Sequence, residues 1–382
     1  MALILLAAAL ALAPAATARF GFRGFVAIYV CAAIAWLPLV RRSLPLGATI
    51  VIAIVLRALF LFEEPRLSGD VYRYLSDGRV LWSGGNPYAY TPTDPRINHP
   101  EIRSIYPPHA QLMFALVHEL TPWRLLLIAA DVACIVLLRR RGALAFATCP
   151  LVIIEGTWSA HIDALAAVLL AFAFARRSSV AAAFASGLKI IPLAAMPVLF
   201  RPRVPPLVFF AALLLPFVPF ACGPLMPGMR DYATRWIFNS PLYDLVRALV
   251  ELIPTKTIWT HHPLRIELIS DVVYRHLYPD FITRAMLAAI ALGAIAIARR
   301  GTSAIAALLV CSPAIHPWYW LTLVPLALLE RSRWLYVALL MPLSYLLYDD
   351  VSKWLVYAAY ACSALSALVI SRWRPPRGDS FS

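Results

Sequence analysis

The chain has 382 residues, of which 62% are hydrophobic and only 14% charged, and its mean hydropathy is +0.75. A soluble fold of this size has too little polar surface to cover so much apolar side chain, so soluble, fibrous and disordered classes are excluded and a polytopic membrane protein is expected. The net charge of +14 would point a soluble chain toward nucleic acid, but in a membrane chain it first reports topology.

The first apolar run, about 1–18, ends in small residues near Ala16 and Ala18 and so imitates a signal peptide. It lacks a basic leader, and a cytoplasmic N-terminus brings the later loop charges into register, so it reads as a retained first span. Runs at about 24–40 and 46–62 follow, and then a polar stretch, 63–109, rich in Gly, Pro, Asn and Tyr. Further runs lie at about 110–138, 142–157, 160–175, 179–200 and 204–220, and after a second polar region, 221–282, at about 283–298, 302–315, 317–330, 334–348 and 352–371. At about 20 residues per span, the expected fold is an all-α membrane domain over 1–382 with roughly 11–14 transmembrane or re-entrant helices.

Arg41, Arg42, Arg139, Arg140, Arg141, Arg176, Arg177, Arg201, Arg203, Arg299, Arg300, Arg331, Arg333, Arg372, Arg374 and Arg377 crowd the short loops, which the positive-inside rule makes cytoplasmic. The loops 63–109 and 221–282 are then external. The segment 179–200 has arginines of the inside type at both ends, so a broken or re-entrant hairpin is expected, and Lys189, Pro192 and Pro197 agree with it. The six cysteines form no CxxC pair and indicate neither a disulfide framework nor a zinc site.

All eight histidines fall on the external side or at helix ends pointing there. No phosphate-binding glycine loop or acidic metal cluster marks the cytoplasmic side. A nucleotide donor is therefore not expected, and an activated group carried by a polyprenyl phosphate in the lipid phase is.

Ser68-Gly69-Asp70 opens a segment in which helical spacing puts Asp70, Arg73, Tyr74, Asp77 and Leu81 on one face, and Val71, Leu75, Gly78 and Trp82 on an apolar stripe. An amphipathic interfacial helix with Ser68 as N-cap is expected. Asp70 serves either as a general base on an acceptor hydroxyl or as a helix cap; Asp77 contacts substrate or pairs with Arg73. Tyr106 and His109, before the next helix, either bind a sugar or belong to an interfacial aromatic belt.

In the turn Glu155 to Asp163, His161 and Asp163 either shape an acceptor pocket or, for Asp163, cap a helix. Lys189 lies in an apolar segment, where an unpaired ammonium costs about 2.5 to 3.5 kcal/mol, so a lipid phosphate or an acid such as Asp131 is expected beside it. Arg230 and Arg235 are weaker candidates for the same phosphate. His316 and Tyr319 open another span at the outer side, in His316-Pro317-Trp318-Tyr319-Trp320.

Taken in order, Gly69-Asp70 with Tyr72 and Arg73, Gly85-Asn86-Pro87-Tyr88, Tyr106-Pro107-Pro108, the Gly156 to Asp163 turn, Lys189 before Pro192, and His316-Pro317-Trp318-Tyr319 resemble the integral-membrane glycosyltransferases of the C superfamily. The likeness is to glycosyltransferase family 87 and bacterial polyprenol-phosphate-mannose-dependent mannosyltransferases, and it spans most of the chain.

The resemblance implies inverting transfer of a sugar, mannose or another hexose or pentose, from a polyprenyl-phosphate donor to a glycan or lipid acceptor at the outer face of the cytoplasmic membrane. It makes Asp70 the base and gives the phosphate to basic groups, here Lys189, Arg73 and Arg235. Asp77, Tyr106, His109, His161, Asp163, His316 and Tyr319 are then the substrate-binding candidates. Some relatives carry a pair of acids one residue apart where this chain has a single Asp after Gly69, so no obligatory metal or other cofactor is expected. The competing reading is a transporter or flippase of a polyprenyl-linked glycan, since broken helices with a charge at depth also mark transport sites. The long aromatic loop at 63–109 has no later counterpart, which favours the enzyme. Membrane lipid is the expected environment, and nucleic acid is not an expected partner.

Overall fold

Breaks in the helices, more than the helices themselves, organise this molecule. The structure is a computed structural model that describes residues 1–139, 142–201, 205–252 and 271–370, apart from the side chains of 271–278 and 363–370. Residues 253–270 of the second expected loop, with Arg140, Arg141, Arg203, Arg372, Arg374 and Arg377, lie outside the described residues. No strand occurs among the described residues; Phe238 and Ala314 form an isolated parallel bridge.

Helix α1, Ala2–Trp36, joins the first two expected runs through a kink at Gly21, whose φ of 62° and ψ of −151° suit only glycine. The kink leaves the amide of Arg23 free of a helical partner, and it donates to Asp349 Oδ2 at 2.9 Å. Phe22 and Phe25 just after the kink pack on Tyr345. The start of the chain thus fixes a tyrosine near its end.

Helix α2, Leu46–Ala58, is tied to α5, Leu120–Leu138, by a buried ion pair between Arg57 Nε and Asp131 Oδ2 at 2.7 Å. Asp131 is therefore engaged by Arg57 and does not accompany Lys189. Between these helices, α3, Asp70–Trp82, and α4, Pro108–Leu116, pack together. The expected helix after Gly69 is present, but Val71 through Gly78 are all buried, so α3 is enclosed by protein instead of lying on the surface by one face; only its last turn, with Arg79 and Trp82, is exposed. The cause is the loop that follows it, which folds back over its polar side. The expected run 110–138 is divided between α4 and α5.

Next come α6, Ala143–Ala147, a π-helix, Val152–Trp158, and α7, Asp163–Arg176. Helix α8, Ser179–Leu188, is capped by Ser178, whose hydroxyl accepts the Ala181 amide at 3.2 Å. It stops at Lys189, which is extended (φ −147°, ψ 143°). A 3-10 turn, Ile191–Ala195, with Pro192 in its first positions, and α9, Met196–Phe200, complete the broken segment the sequence leads one to expect.

Helices α10 (Pro206–Leu214), α11 (Gly228–Arg235), α12 (Pro241–Glu251), α13 (Asp271–Ile297), α14 (Gly301–Val310), α15 (Val324–Glu330), α16 (Trp334–Leu340) and α17 (Lys353–Ile370) follow. Proline-bearing 3-10 segments, Leu215–Phe220, Pro317–Leu323 and Met341–Asp349, adjoin α10, α15 and α16. Proline removes a helical donor and crowds the preceding turn, so long apolar runs divide into short pieces.

Among the described residues, Ala2–Arg41, Leu120–Leu138 and Pro279–Ile297 are long and apolar enough to cross a membrane, and the other apolar helices have 10–17 residues. At about 1.5 Å per residue such shorter helices reach roughly 15 to 26 Å, less than the roughly 30 Å of bilayer hydrocarbon. The described residues are all-helical with three candidate spans, a coarser architecture than the expected count of crossings.

Candidate functional site

Asp70 is the first residue of α3, and its amide is held by Ser68 Oγ at 3.2 Å. Gly69 before it has no room for a side chain: a Cβ there would stand 2.4 Å from the carbonyl oxygen of Arg96. One turn later Arg73 donates to the carbonyls of His99 at 2.8 Å, Ile102 at 2.9 Å and Asn98 at 3.1 Å. The loop 96–102 is thereby strapped over the start of α3. Arg73, expected at the donor phosphate, instead spends its guanidinium on this strap.

The Asp70 carboxyl remains 26% exposed. The Tyr106 hydroxyl donates to its Oδ2 at 3.4 Å, and His161 Nδ1 lies 3.9 Å away. Burial raises its pKa above the usual carboxylate value, against the opposing pull of Lys189 and then Arg73. That combination gives a carboxylate that is reachable and a better proton acceptor than a free one.

Lys189 reaches the same place from the break after α8. Its ammonium is 3.0 Å from Asp163 Oδ2 at the start of α7, and 13% of the side chain is exposed while that of Asp163 is sealed. It also lies 5.1 Å from the ring centre of Tyr106 and 5.3 Å from that of Tyr319. The Tyr319 hydroxyl is hydrogen bonded to that of Tyr232, from α11. One cation is thus held among an acid and two aromatic faces, with Asp70 beside them.

A column of stacked rings forms one wall. His161 lies 4.1 Å from Trp318, Trp318 4.4 Å from His316, His316 4.6 Å from Phe238 and Phe238 5.0 Å from Tyr348, with interplanar angles of 12°, 11°, 14° and 24°. The backbone bridge at Phe238 sets the register of the column: Phe238 accepts from the Ile315 amide at 2.8 Å. Both faces of the His316 ring are covered, so only its edge is left for a substrate.

Behind His161 lies Glu155, which is wholly buried in the π-helix. Its Oε2 is 3.5 Å from His161 Nε2, and the Tyr345 hydroxyl donates to Oε1 at 3.0 Å. On the other side of the imidazole, Nδ1 is 3.4 Å from the Tyr74 hydroxyl.

Asp70, Tyr106, His161, Asp163, Lys189 and Tyr319 therefore meet in one place, with His316 one ring removed. Asp77, His109, Arg73 and Arg235 do not join them. Asp77 points the other way from α3, where its Oδ2 accepts Gln111 Nε2 at 3.1 Å, and burial lifts its carboxyl to about 6. It does not form the expected pair with Arg73, which faces the strap. His109 is buried with Nε2 donating to the Ala212 carbonyl at 3.2 Å. Arg235 is 75% exposed on α11 and pairs with Asp231 one turn back at 3.4 Å.

Sequence reasoning did not single out Tyr74, Tyr232, Phe238, Tyr345 or Tyr348, nor Glu155 as a member. Tyr74 had a signal, being four residues after Asp70 on one helical face. Tyr345 had none, since only the kink at Gly21 brings it in.

Among the described residues no group of three or more His, Cys, Asp or Glu side chains could hold a metal ion. Comparison with known proteins finds no matching family model, no matching curated protein and no matching solved structure.

Proposed function

We propose that this chain is an inverting glycosyltransferase that moves a sugar from a polyprenyl-phosphate donor to a hydroxyl of a glycan or lipid acceptor, at the outer face of the cytoplasmic membrane. The observation that carries the reading is the meeting of Lys189 and Asp70 at the edge of a largely buried, ring-lined site. Acid and cation come from segments more than a hundred residues apart, and both remain partly open.

The chemistry then needs no further group. Asp70 takes the proton of the acceptor O–H while that oxygen forms a bond to the anomeric carbon. The bond from the anomeric carbon to the phosphate oxygen breaks, and the leaving phosphate keeps the electron pair. Lys189 donates to the phosphate where this charge develops, because its ammonium has three donors and Asp163 occupies one direction. In this reading the sugar lies against the Tyr106 and Tyr319 rings, which flank Lys189 at 5.1 and 5.3 Å.

A transporter would also use a broken helix carrying a cation, and the break at Lys189 is the observation in its favour. The two readings differ in product. The purified chain should convert a polyprenyl-phosphate sugar and an acceptor into polyprenyl phosphate and a glycoside of inverted anomeric configuration; movement of an unchanged lipid-linked glycan without a new glycoside would establish the transporter.

A further inference from the structure

Glu155 takes no part in the chemistry described above, yet it is a fully buried acid in contact with the one imidazole that faces Asp70. A carboxylate sealed from water is far costlier than a carboxylic acid that donates its proton. The Tyr345 hydroxyl reaches both oxygens, Oε1 at 3.0 Å and Oε2 at 3.2 Å. Oε2 also faces His161 Nε2 at 3.5 Å, a buried nitrogen with no hydrogen bond of its own, so with Tyr345 donating to Oε1 the carboxyl proton belongs on Oε2.

A neutral imidazole carries one N–H, and what one nitrogen does decides the other. If Nε2 accepts from Glu155, the N–H must be on Nδ1. That nitrogen faces the Tyr74 oxygen at 3.4 Å and Asp70 Oδ2 at 3.9 Å. The ring itself cannot turn freely, since Trp318 covers it at 4.1 Å and nearly parallel. Lys189 and His316 also act on the ring electrostatically, after burial, against a positive charge on it.

We propose that Glu155 is a proton-bearing positioning residue that fixes His161 in the tautomer with hydrogen on Nδ1, so that an N–H faces Asp70 Oδ2 and the other carboxyl oxygen is kept for the acceptor hydroxyl. This rests on the reading of Asp70 as the base. It assigns a role in orientation to His161, in place of the contact with substrate expected from sequence.

The direct test is nitrogen NMR of the purified full-length protein labelled in histidine, with the His161 signals identified by their loss in His161→Gln. The expected result is a neutral ring protonated on Nδ1, in the parent and in Glu155→Gln, whose amide can still donate to Nε2 and accept from Tyr345. Glu155→Leu should lose that preference.

In sugar transfer, Glu155→Gln should stay within about threefold of the parent, and Glu155→Leu should lose at least tenfold in kcat with donor KM unchanged, a split that simple loss of folded protein does not give. A ring protonated on Nε2 in the parent, or a Glu155→Gln variant as impaired as Glu155→Leu, would overturn the proposal, and the first of these needs no variant of Glu155 at all. Failure of the Asp70 reading is recognised separately, by transfer activity surviving in Asp70→Asn whatever the His161 tautomer.

Discussion

Replacing Lys189 by methionine removes one charge from a nearly sealed pair and separates two roles that the residue combines. At 3.0 Å and an effective dielectric of about 20, the attraction is roughly 5 kcal/mol, most of it offset by the desolvation of both groups. What remains after the substitution is Asp163 buried without a partner, and breaking such a pair costs about 3–5 kcal/mol. The lower end, about 3 kcal/mol, is expected here because part of the Lys189 side chain meets solvent.

Adding Asp163→Asn to Lys189→Met removes the orphaned charge and should bring stability back to within about 1 kcal/mol of the parent. Donor recognition should not come back. A hydrogen bond to a charged phosphate contributes about 1.5–3 kcal/mol, so polyprenyl phosphate should bind both variants roughly 10- to 150-fold more weakly. Chemical denaturation in detergent gives the stability and equilibrium binding of polyprenyl phosphate gives the affinity. A double variant that is both stable and binds the lipid phosphate like the parent would refute the argument and leave Lys189 as half of a structural pair.

Three other outcomes follow from the geometry. Burial holds the Asp77 carboxyl up at about 6, so the fold prefers its neutral form; this stabilisation is complete below about pH 4 and is lost as pH rises through about 6. Asp77→Asn cannot ionise and should exceed the parent by about 3 kcal/mol at pH 8, with the gap closing toward pH 4, and denaturation at both pH values checks it; a variant less stable at both would contradict the burial argument. Arg57→Met should cost about 3–5 kcal/mol by stranding Asp131, whereas Arg57→Met with Asp131→Leu should be near the parent, and a thermal-stability cycle over the three variants tests this. Gly69→Ala pushes a Cβ against the Arg96 carbonyl and should cost about 1–3 kcal/mol together with most sugar transfer; an alanine variant of normal stability and turnover would show that the loop yields freely.

The legible part of the fold was what depends on short-range chemistry. Gly69-Asp70 with an amphipathic segment after it gave the helix that begins at Asp70, and a lysine before proline in an apolar run marked the break at Lys189. The rest was hidden because partners remote in sequence decided it. Arg73, Asp77 and Asp70 lie on one helix at spacings that allow a shared site, yet the 96–102 strap takes Arg73 and a polar pocket with Gln111 takes Asp77. Apolar runs also could not reveal how often proline would divide them, so spans counted by hydropathy became shorter helices joined by 3-10 turns. His316 shows the same limit from the opposite side: its place before Pro317 at the outer side makes it a substrate-binding candidate, but the bridge at Phe238 closes a ring over it.

The measurement closest to the central claim is sugar transfer from a polyprenyl-phosphate donor by Asp70→Asn in a preparation whose folding matches the parent. Asparagine keeps the size of the side chain and can still accept from the Tyr106 hydroxyl, but it cannot take the acceptor proton. General-base catalysis contributes about 10² to 10⁴ in rate, so turnover should fall by that factor while donor binding, which depends on Lys189, is retained. Turnover within a fewfold of the parent in that variant would contradict the account.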